Sequence, residues 1–353
     1  MYTLTRNIGG SYAPSNPDFN QDAHLHVLIT RPNHRLGNLL LITPLIEDIS
    51  ATFPKAKIDL FVKGDISSCL FEDHPNINRI IKLPRKPFNE LKTYLETWLL
   101  LRKNSYDLVV NVDRGSSSGS LSTAFAKSRY KIFGEHLQHI PVLTEEQKHI
   151  AKNPVYEFRK FLASAGISVS TTIPGLNLKL TETELTAGKK LVEEFISQPK
   201  RKTICLFTYA TGEKCYAKNW WSQFYKILKE HFPDYNFIEV LPIEKISNLS
   251  FQIPFFYSRD VRELAAVIAN TSIFIGADSG IMHLSSAVGT PTVGLFCITN
   301  EEKYCPYGQG STAINTHKTS NQEAVKIIAD ILDSETSPDL SENRIHNVST
   351  LPR

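Results

Sequence analysis

The 353-residue chain has no run of eighteen consecutive apolar residues, so nothing in it reads as a membrane-spanning helix. Its first residues, MYTLTRNIGGSYAPSNPDFNQD, lack the apolar stretch of a signal peptide. There are only five cysteines, Cys69, Cys205, Cys215, Cys297 and Cys305. Their number is odd, and no two have the short spacing of a zinc or redox motif. These absences argue against a secreted disulfide scaffold and place the chain in a reduced, cytoplasmic compartment. No Gly-x-Gly-x-x-Gly follows the first apolar strand, which counts against a nicotinamide-dependent oxidoreductase. The net charge of +3 is too small for a nucleic-acid binder.

That small charge is unevenly spread. Residues 79–131 hold eleven Lys or Arg against four Asp or Glu, so one part of the chain carries a basic field. It is either a solvated face or an attraction to an acidic substrate or anionic membrane surface. The length suits two globular domains of about 150 residues each. In the first half, the buried strand LHVLIT (25–30) leads into the polar loop RPNHRLGN and a helix over 39–52. The strands KIDLFVK, YDLVVNVD and YKIFGE follow, separated by polar or helical stretches. Alternating β and α of this kind builds a parallel sheet covered on both faces, with ligands beyond the carboxyl ends of the strands. The second half repeats the alternation in TICLFTY, WWSQFYKILKEHF, YNFIEVL, RDVRELAAVIAN, SIFIGAD, IMHLSSAVG and PTVGLF. The fold class is therefore α/β with two Rossmann-like lobes. Residues 88–103 place Leu91, Leu95, Trp98 and Leu99 on one helical stripe ending in Arg102 and Lys103. Core packing is the first reading of that stripe, and membrane-surface contact the second.

The strongest local signal is SIFIGADSGIMHLSSAVGTPTVGLF, in which an apolar strand ends near Gly276 and a helix begins at Ser279 or Gly280. The free N–H groups and positive dipole of such a helix end favour a phosphate, and Gly280 lets a ligand approach the main chain. By themselves Asp278 and Ser279 could equally be ordinary N-caps, and His283 a packed histidine.

The order Asp278, Ser279, Gly280, His283, Leu284 resembles the signature of glycosyltransferase family 9, the lipopolysaccharide heptosyltransferases. GTPTVGLF and the later CPYG (305–308) resemble that family's next strand and closing turn. A second stretch, FTYATGEKCYAKNWWSQFYKIL, resembles the family's small-residue loop followed by Lys-x-Trp, with Lys218 and Trp220 in those positions. The resemblance makes Thr208, Thr211, Gly212, Lys218, Asp278, Ser279, Gly280 and His283 donor contacts, and gives Lys218 a catalytic role at the donor diphosphate. Lys214 is the substitute if the loop displaces Lys218. A third stretch, RLGNLLLITPLI, resembles the N-terminal Gly-Asp turn, with Gly37 and Pro44 in place and Arg35 beside them. Asn38 stands where the family has an aspartate, and an amide has no useful basicity near neutral pH. Asp113, at the carboxyl end of YDLVVNVD beside Arg114 and a Ser/Gly loop, is the candidate replacement base, with a turn-capping aspartate as the other reading. Asp65 and His34 are weaker candidates, and Asn38 itself would orient the acceptor. Arg35, Gly37, Asn38, Arg114, Arg129 and Lys131 are the acceptor-side residues. The strand YNFIEVLPIEK lacks the family's glycine pair, so Glu239 and Pro242 line the nucleobase side by position alone.

The resemblance implies a GT-B type fold, two Rossmann-like lobes facing a central cleft. Residues 1–22 would be a disordered tail, 23–178 the acceptor domain, 179–333 the nucleotide-sugar domain, and 334–353 a second disordered tail. It implies inverting, metal-independent transfer of heptose from ADP-heptose to a lipopolysaccharide core or related lipid-linked glycan, with no cofactor. No Asp-x-Asp triplet occurs, in keeping with that scheme. The enzyme would be a cytoplasmic monomer, peripheral on the inner membrane. Two alternatives stay open: a catalytically impaired homologue that binds a nucleotide sugar or glycan, and a GT-B glycosyltransferase using another nucleotide sugar.

Overall fold

The computed structural model of the chain describes residues 24–113, 115–134 and 145–334. The two tails expected to be disordered lie outside the described residues, except for Ser334. The chain divides into two compact units, Met1–Lys179 with Glu302–Tyr304, and Leu180–Glu301 with Cys305–Arg353.

The first unit runs β1 (His26–Thr30), α1 (Leu36–Leu40), α2 (Thr43–Thr52), β2 (Lys57–Lys63), α3 (Ile66–Phe71), β3 (Ile77–Leu83) and α4 (Leu91–Lys103). It continues through β4 (Ser105–Asn111), α5 (Ser117–Phe125), β5 (Lys127–Ile132), α6 (Glu145–Lys148) and α7 (Asn153–Ser164). The strands form one sheet in the order β3-β2-β1-β4-β5, every pairing parallel. Val27, Leu28 and Ile29 of β1 are fully buried, as a central parallel strand covered on both faces requires. The chain leaves β1 toward β2 on one side and returns to β4 on the other. The space beyond the carboxyl ends of β1 and β4 is thus the point where ligands bind in open α/β sheets. The helix expected over 39–52 is two pieces, α1 and α2, with Pro44 in the first turn of α2, where its missing N–H costs nothing. The Ser/Gly loop expected after Asp113 closes into α5, because the Ser116 hydroxyl caps it by accepting from the Gly119 N–H.

The stripe on α4 divides differently from the expectation. The buried face consists of Tyr94, Thr97, Trp98 and Leu101, spaced i, i+3, i+4, i+7, and its rings and leucine pack on Leu28, Phe61, Ile81 and Val109. The two aromatic rings and Leu101 form the side that docks. Leu91, Leu95 and Leu99 are left 55%, 61% and 58% exposed.

The second unit holds α8 (Glu182–Phe195), β6 (Thr203–Phe207), α9 (Lys218–His231), β7 (Asn236–Val240), β8 (Phe255–Phe256) and α10 (Val261–Ala269). After these come β9 (Ile273–Ala277), α11 (Gly280–Ala287), β10 (Thr292–Phe296), β11 (Thr312–Asn315) and α12 (Asn321–Ser334). The sheet order is β11-β10-β9-β6-β7-β8, again parallel throughout. Here the direction reverses between β6 and β9. Two glycines permit close packing. A Cβ on Gly294 of β10 would lie 2.5 Å from Met282 Sδ of α11, and one on Gly188 of α8 would lie 2.3 Å from the Ala266 carbonyl oxygen of α10.

Candidate functional site

In the second unit the two loops at the reversal point meet. β9 ends at Ala277, and Asp278 is held by its N–H donating to the Leu295 carbonyl oxygen. Ser279 caps α11, its hydroxyl accepting from the Met282 N–H, and Gly280 is the first helical residue. His283 is buried one turn on. From the other loop comes Lys214, at the end of a short 3-10 turn (Gly212–Lys214) that Gly212 opens with a φ of +66°. Its ammonium reaches Asp278 Oδ2 at 2.6 Å, and the Lys214 side chain is 39% exposed while that of Asp278 is 7% exposed. The loop is pinned behind this pair, where the Tyr216 ring stacks on Trp220 at 4.3 Å and its hydroxyl bonds with Thr316 Oγ1 at 2.9 Å. The turn thus offers one partly exposed cation, paired with Asp278, beside the first N–H groups of a helix. That combination binds a diphosphate oxygen.

The other donor candidates are not bonded to that pair. Lys218 is the exposed first residue of α9, and Thr211 is exposed. Thr208 is buried, its hydroxyl donating to Glu239 Oε1 at 2.5 Å and accepting from the Asn248 N–H. It fastens the loop after β6 to β7 and is already committed within the protein. Ser247 donates to the other Glu239 oxygen at 2.6 Å. Burial raises the Glu239 carboxyl above its ordinary range against the pull of those two hydroxyls.

The first unit assembles a second constellation beyond β1 and β4. Arg31 follows β1 directly, with its side chain only 4% exposed. One guanidinium nitrogen donates to Asp113 Oδ2 at 2.5 Å and the other to Asn38 Oδ1 at 3.1 Å. The two residues singled out for acceptor chemistry are therefore joined through an arginine that the sequence reading passed over. Its signal was present as a cation immediately after a buried strand. The other Asp113 oxygen accepts from the Gly115 N–H at 3.0 Å, and its side chain remains 35% exposed. Beyond β2, Gly64 takes a φ of +75°, and a Cβ there would lie 3.1 Å from Arg85 Cγ and 3.5 Å from His34 Cβ. Burial, then the charges of Arg85, Lys63 and Arg35, hold the His34 imidazole below its usual value. Four basic residues, His34, Arg35, Lys63 and Arg85, thus collect at the carboxyl ends of β1 and β2.

Arg129, Lys131 and Asp65 do not join them. Arg129 is exposed on the edge strand β5, over the Tyr130 ring. Lys131 donates to the Ala124 carbonyl oxygen at 2.7 Å, satisfying the last turn of α5; burial and then Arg102 lower its pKa. Asp65 is almost fully exposed and pairs with Lys82 at 3.8 Å. Gly37 is buried in α1 and Arg35 stands at its N-cap. Arg114 lies outside the described residues.

The model of glycosyltransferase family 9 (heptosyltransferase) matches residues 259–330. That span contains the β9–α11 turn. Lipopolysaccharide heptosyltransferase 3 of Escherichia coli K12 is 25% identical over 300 residues, covering 77% of this chain and 82% of that protein. The lipopolysaccharide core heptosyltransferase OpsX of Haemophilus influenzae is 21% identical over 301 residues, covering 82% and 84%. Among solved structures, a family 9 glycosyl transferase from Veillonella parvula aligns with a TM-score of 0.71 at 16% identity, covering 89% of this chain and all of that one. The ADP-heptose lipopolysaccharide heptosyltransferase II of E. coli aligns with a TM-score of 0.62, also at 16% identity, over 89% of this chain and all of that one. The two parallel α/β units are of the GT-B type that the sequence implied.

Proposed function

We propose that the chain is a member of glycosyltransferase family 9 and transfers heptose from ADP-heptose, with inversion, to a hydroxyl of a lipopolysaccharide core or related lipid-linked glycan. The observation that carries this reading is the Lys214–Asp278 pair at the capped start of α11, inside the stretch matched by the family model. The names of the relatives supply the sugar and the acceptor class.

On this reading the acceptor oxygen forms a bond to the anomeric carbon while the bond from that carbon to the diphosphate oxygen breaks. The diphosphate leaves with the electron pair. Lys214 and the N–H groups at the start of α11 meet that growing charge. The acceptor proton goes to Asp113, which Arg31 and the Gly115 N–H hold in one orientation. Asn38, whose Oδ1 is already bonded to Arg31, has its amide nitrogen left to donate to an acceptor oxygen. The basic group of His34, Arg35, Lys63 and Arg85 suits a phosphorylated or carboxylated acceptor. The enzyme would act as a monomer at the cytoplasmic face of the inner membrane. Among the described residues, no helix is long and apolar enough to cross a membrane.

The test is purified protein with ADP-heptose and a heptose-deficient lipopolysaccharide acceptor, following ADP release and acceptor mass. Gain of one heptose supports the reading. Binding of ADP-heptose without transfer would favour the second one, a non-catalytic nucleotide-sugar binder, which is motivated by Asn38 in the aspartate position. Transfer from a different nucleotide sugar alone would reassign the donor.

A further inference from the structure

Thirteen large apolar side chains are exposed among the described residues, and seven of them fall within residues 88–125. Phe88 is 90% exposed just before α4. Leu91, Leu95 and Leu99 form a single stripe one turn apart along the helix, on the side away from the sheet. Leu121 and Phe125 of α5 are exposed as well, and the two helices touch. Trp98 meets the Phe125 ring at 5.6 Å, while Arg102 lies over the same ring and donates to the Phe125 carbonyl oxygen. An apolar patch of this kind marks an interaction surface.

Charge says what covers it. On α4, its N-terminal flank and the end of α5, the exposed charged side chains are the cations Lys92, Arg102, Lys103 and Lys127 against the carboxylates Glu90 and Glu96, the latter paired with Lys92 at 3.9 Å, so cations are in excess. A second copy docking by two-fold symmetry would bring the two cationic sets face to face. An anionic bilayer surface instead attracts each cation while its acyl boundary accepts the leucines.

We propose that the exposed face of α4, with Phe88 and the adjoining end of α5, docks on the surface of an anionic phospholipid bilayer. It does so as an in-plane amphipathic helix, leucines in the acyl boundary and lysines and arginines at the headgroups. In its biological purpose this rests on the reading that the acceptor is lipid-linked, since docking confines the enzyme to the plane of its substrate.

The full chain and a Leu91→Ser, Leu95→Ser, Leu99→Ser variant would be sedimented with phosphatidylglycerol-containing vesicles and with phosphatidylcholine vesicles. Light scattering without lipid would report oligomeric state, and thermal unfolding would report folding. Turnover would be measured with a deacylated, water-soluble acceptor and with the same acceptor lipid-anchored in vesicles. We expect the wild type to prefer the anionic vesicles and lose that preference at high salt, and the variant to partition about tenfold or more weakly. Turnover of the soluble acceptor should stay within about twofold, because these leucines touch neither constellation described above. Equal partitioning of variant and wild type, or equal binding of the wild type to neutral vesicles, would overturn the proposal. So would a wild-type dimer that the variant converts to a monomer, which would make the face a self-interface. Absence of turnover on both acceptors would sink the transferase reading and leave the vesicle measurement standing.

Discussion

Replacing Lys214 by alanine distinguishes the lysine that family register selects from the one the fold brings to the site. Lys214 lies 2.6 Å from a carboxylate that is 7% exposed, whereas Lys218 is exposed at the start of α9. A hydrogen bond to a charged group contributes about 1.5–3 kcal/mol. Because 39% of the Lys214 side chain meets solvent, the lower end applies, roughly 1.5 kcal/mol after screening. That is about a tenfold loss of ADP affinity. A second effect adds to it. Without Lys214, the Asp278 carboxylate stands unneutralised where the diphosphate must bind, so the observed loss should be about 10–30-fold. The combination of Lys214→Ala with Asp278→Asn removes that repulsion and should recover several-fold, a coupling that a double-mutant cycle reads directly. Lys218→Ala should change affinity by less than about threefold. Titration calorimetry with ADP measures these proteins together with the Asp278→Asn single variant that closes the cycle. If Lys218→Ala costs tenfold and Lys214→Ala nothing, the placement of the donor at the Lys214–Asp278 pair is wrong.

On the acceptor side, Asp113→Asn should lower kcat by about 10²–10⁴-fold with ADP affinity unchanged; wild-type turnover in that variant would remove Asp113 from the mechanism. Arg31→Met should depress turnover too, and combining it with Asp113→Asn should cost little more than either change alone, since one acts through the other. Gly188→Ala forces a methyl to within 2.3 Å of the Ala266 carbonyl oxygen, so α8 and α10 must separate. The expected loss is about 1–3 kcal/mol, seen as a lower midpoint in urea. The Arg262 side chain, forked onto Glu184 at 2.5 and 2.8 Å, holds the Glu184 carboxyl down to about 2, with further help from the Thr181 cap. A depressed carboxyl adds stability that is complete above its ordinary range and lost as pH falls from about 4.5 toward 2. Unfolding midpoints of Glu184→Gln and the wild type should therefore converge across that interval; a gap that persists below it would show that the ion pair is not the cause.

Periodicity alone determined most of the architecture. LHVLIT, KIDLFVK and SIFIGAD are largely apolar runs too short for helices, and they lie in β1, β2 and β9, because a strand buried on both faces must be apolar along most of its length. The strand β3 escaped notice because it lies at the sheet edge, where exposed residues interrupt the pattern. The helix α5 escaped because its Ser/Gly composition favours a loop until the Ser116 cap and tertiary burial of Ser120, Ser122 and Thr123 stabilise it. The β9–α11 turn was legible as a helix start, since capping chemistry is local. The partners of that turn were not. Whether Lys214 or Lys218 faces Asp278 depends on how a 3-10 turn folds the loop after β6, and the link from Asn38 to Asp113 exists only because Arg31 directly follows a strand that pairs with β4. The side of α4 that faces water was equally undecided. The sequence holds two apolar stripes on that helix, and only packing against Phe61 and Val109 chose the aromatic one for the core.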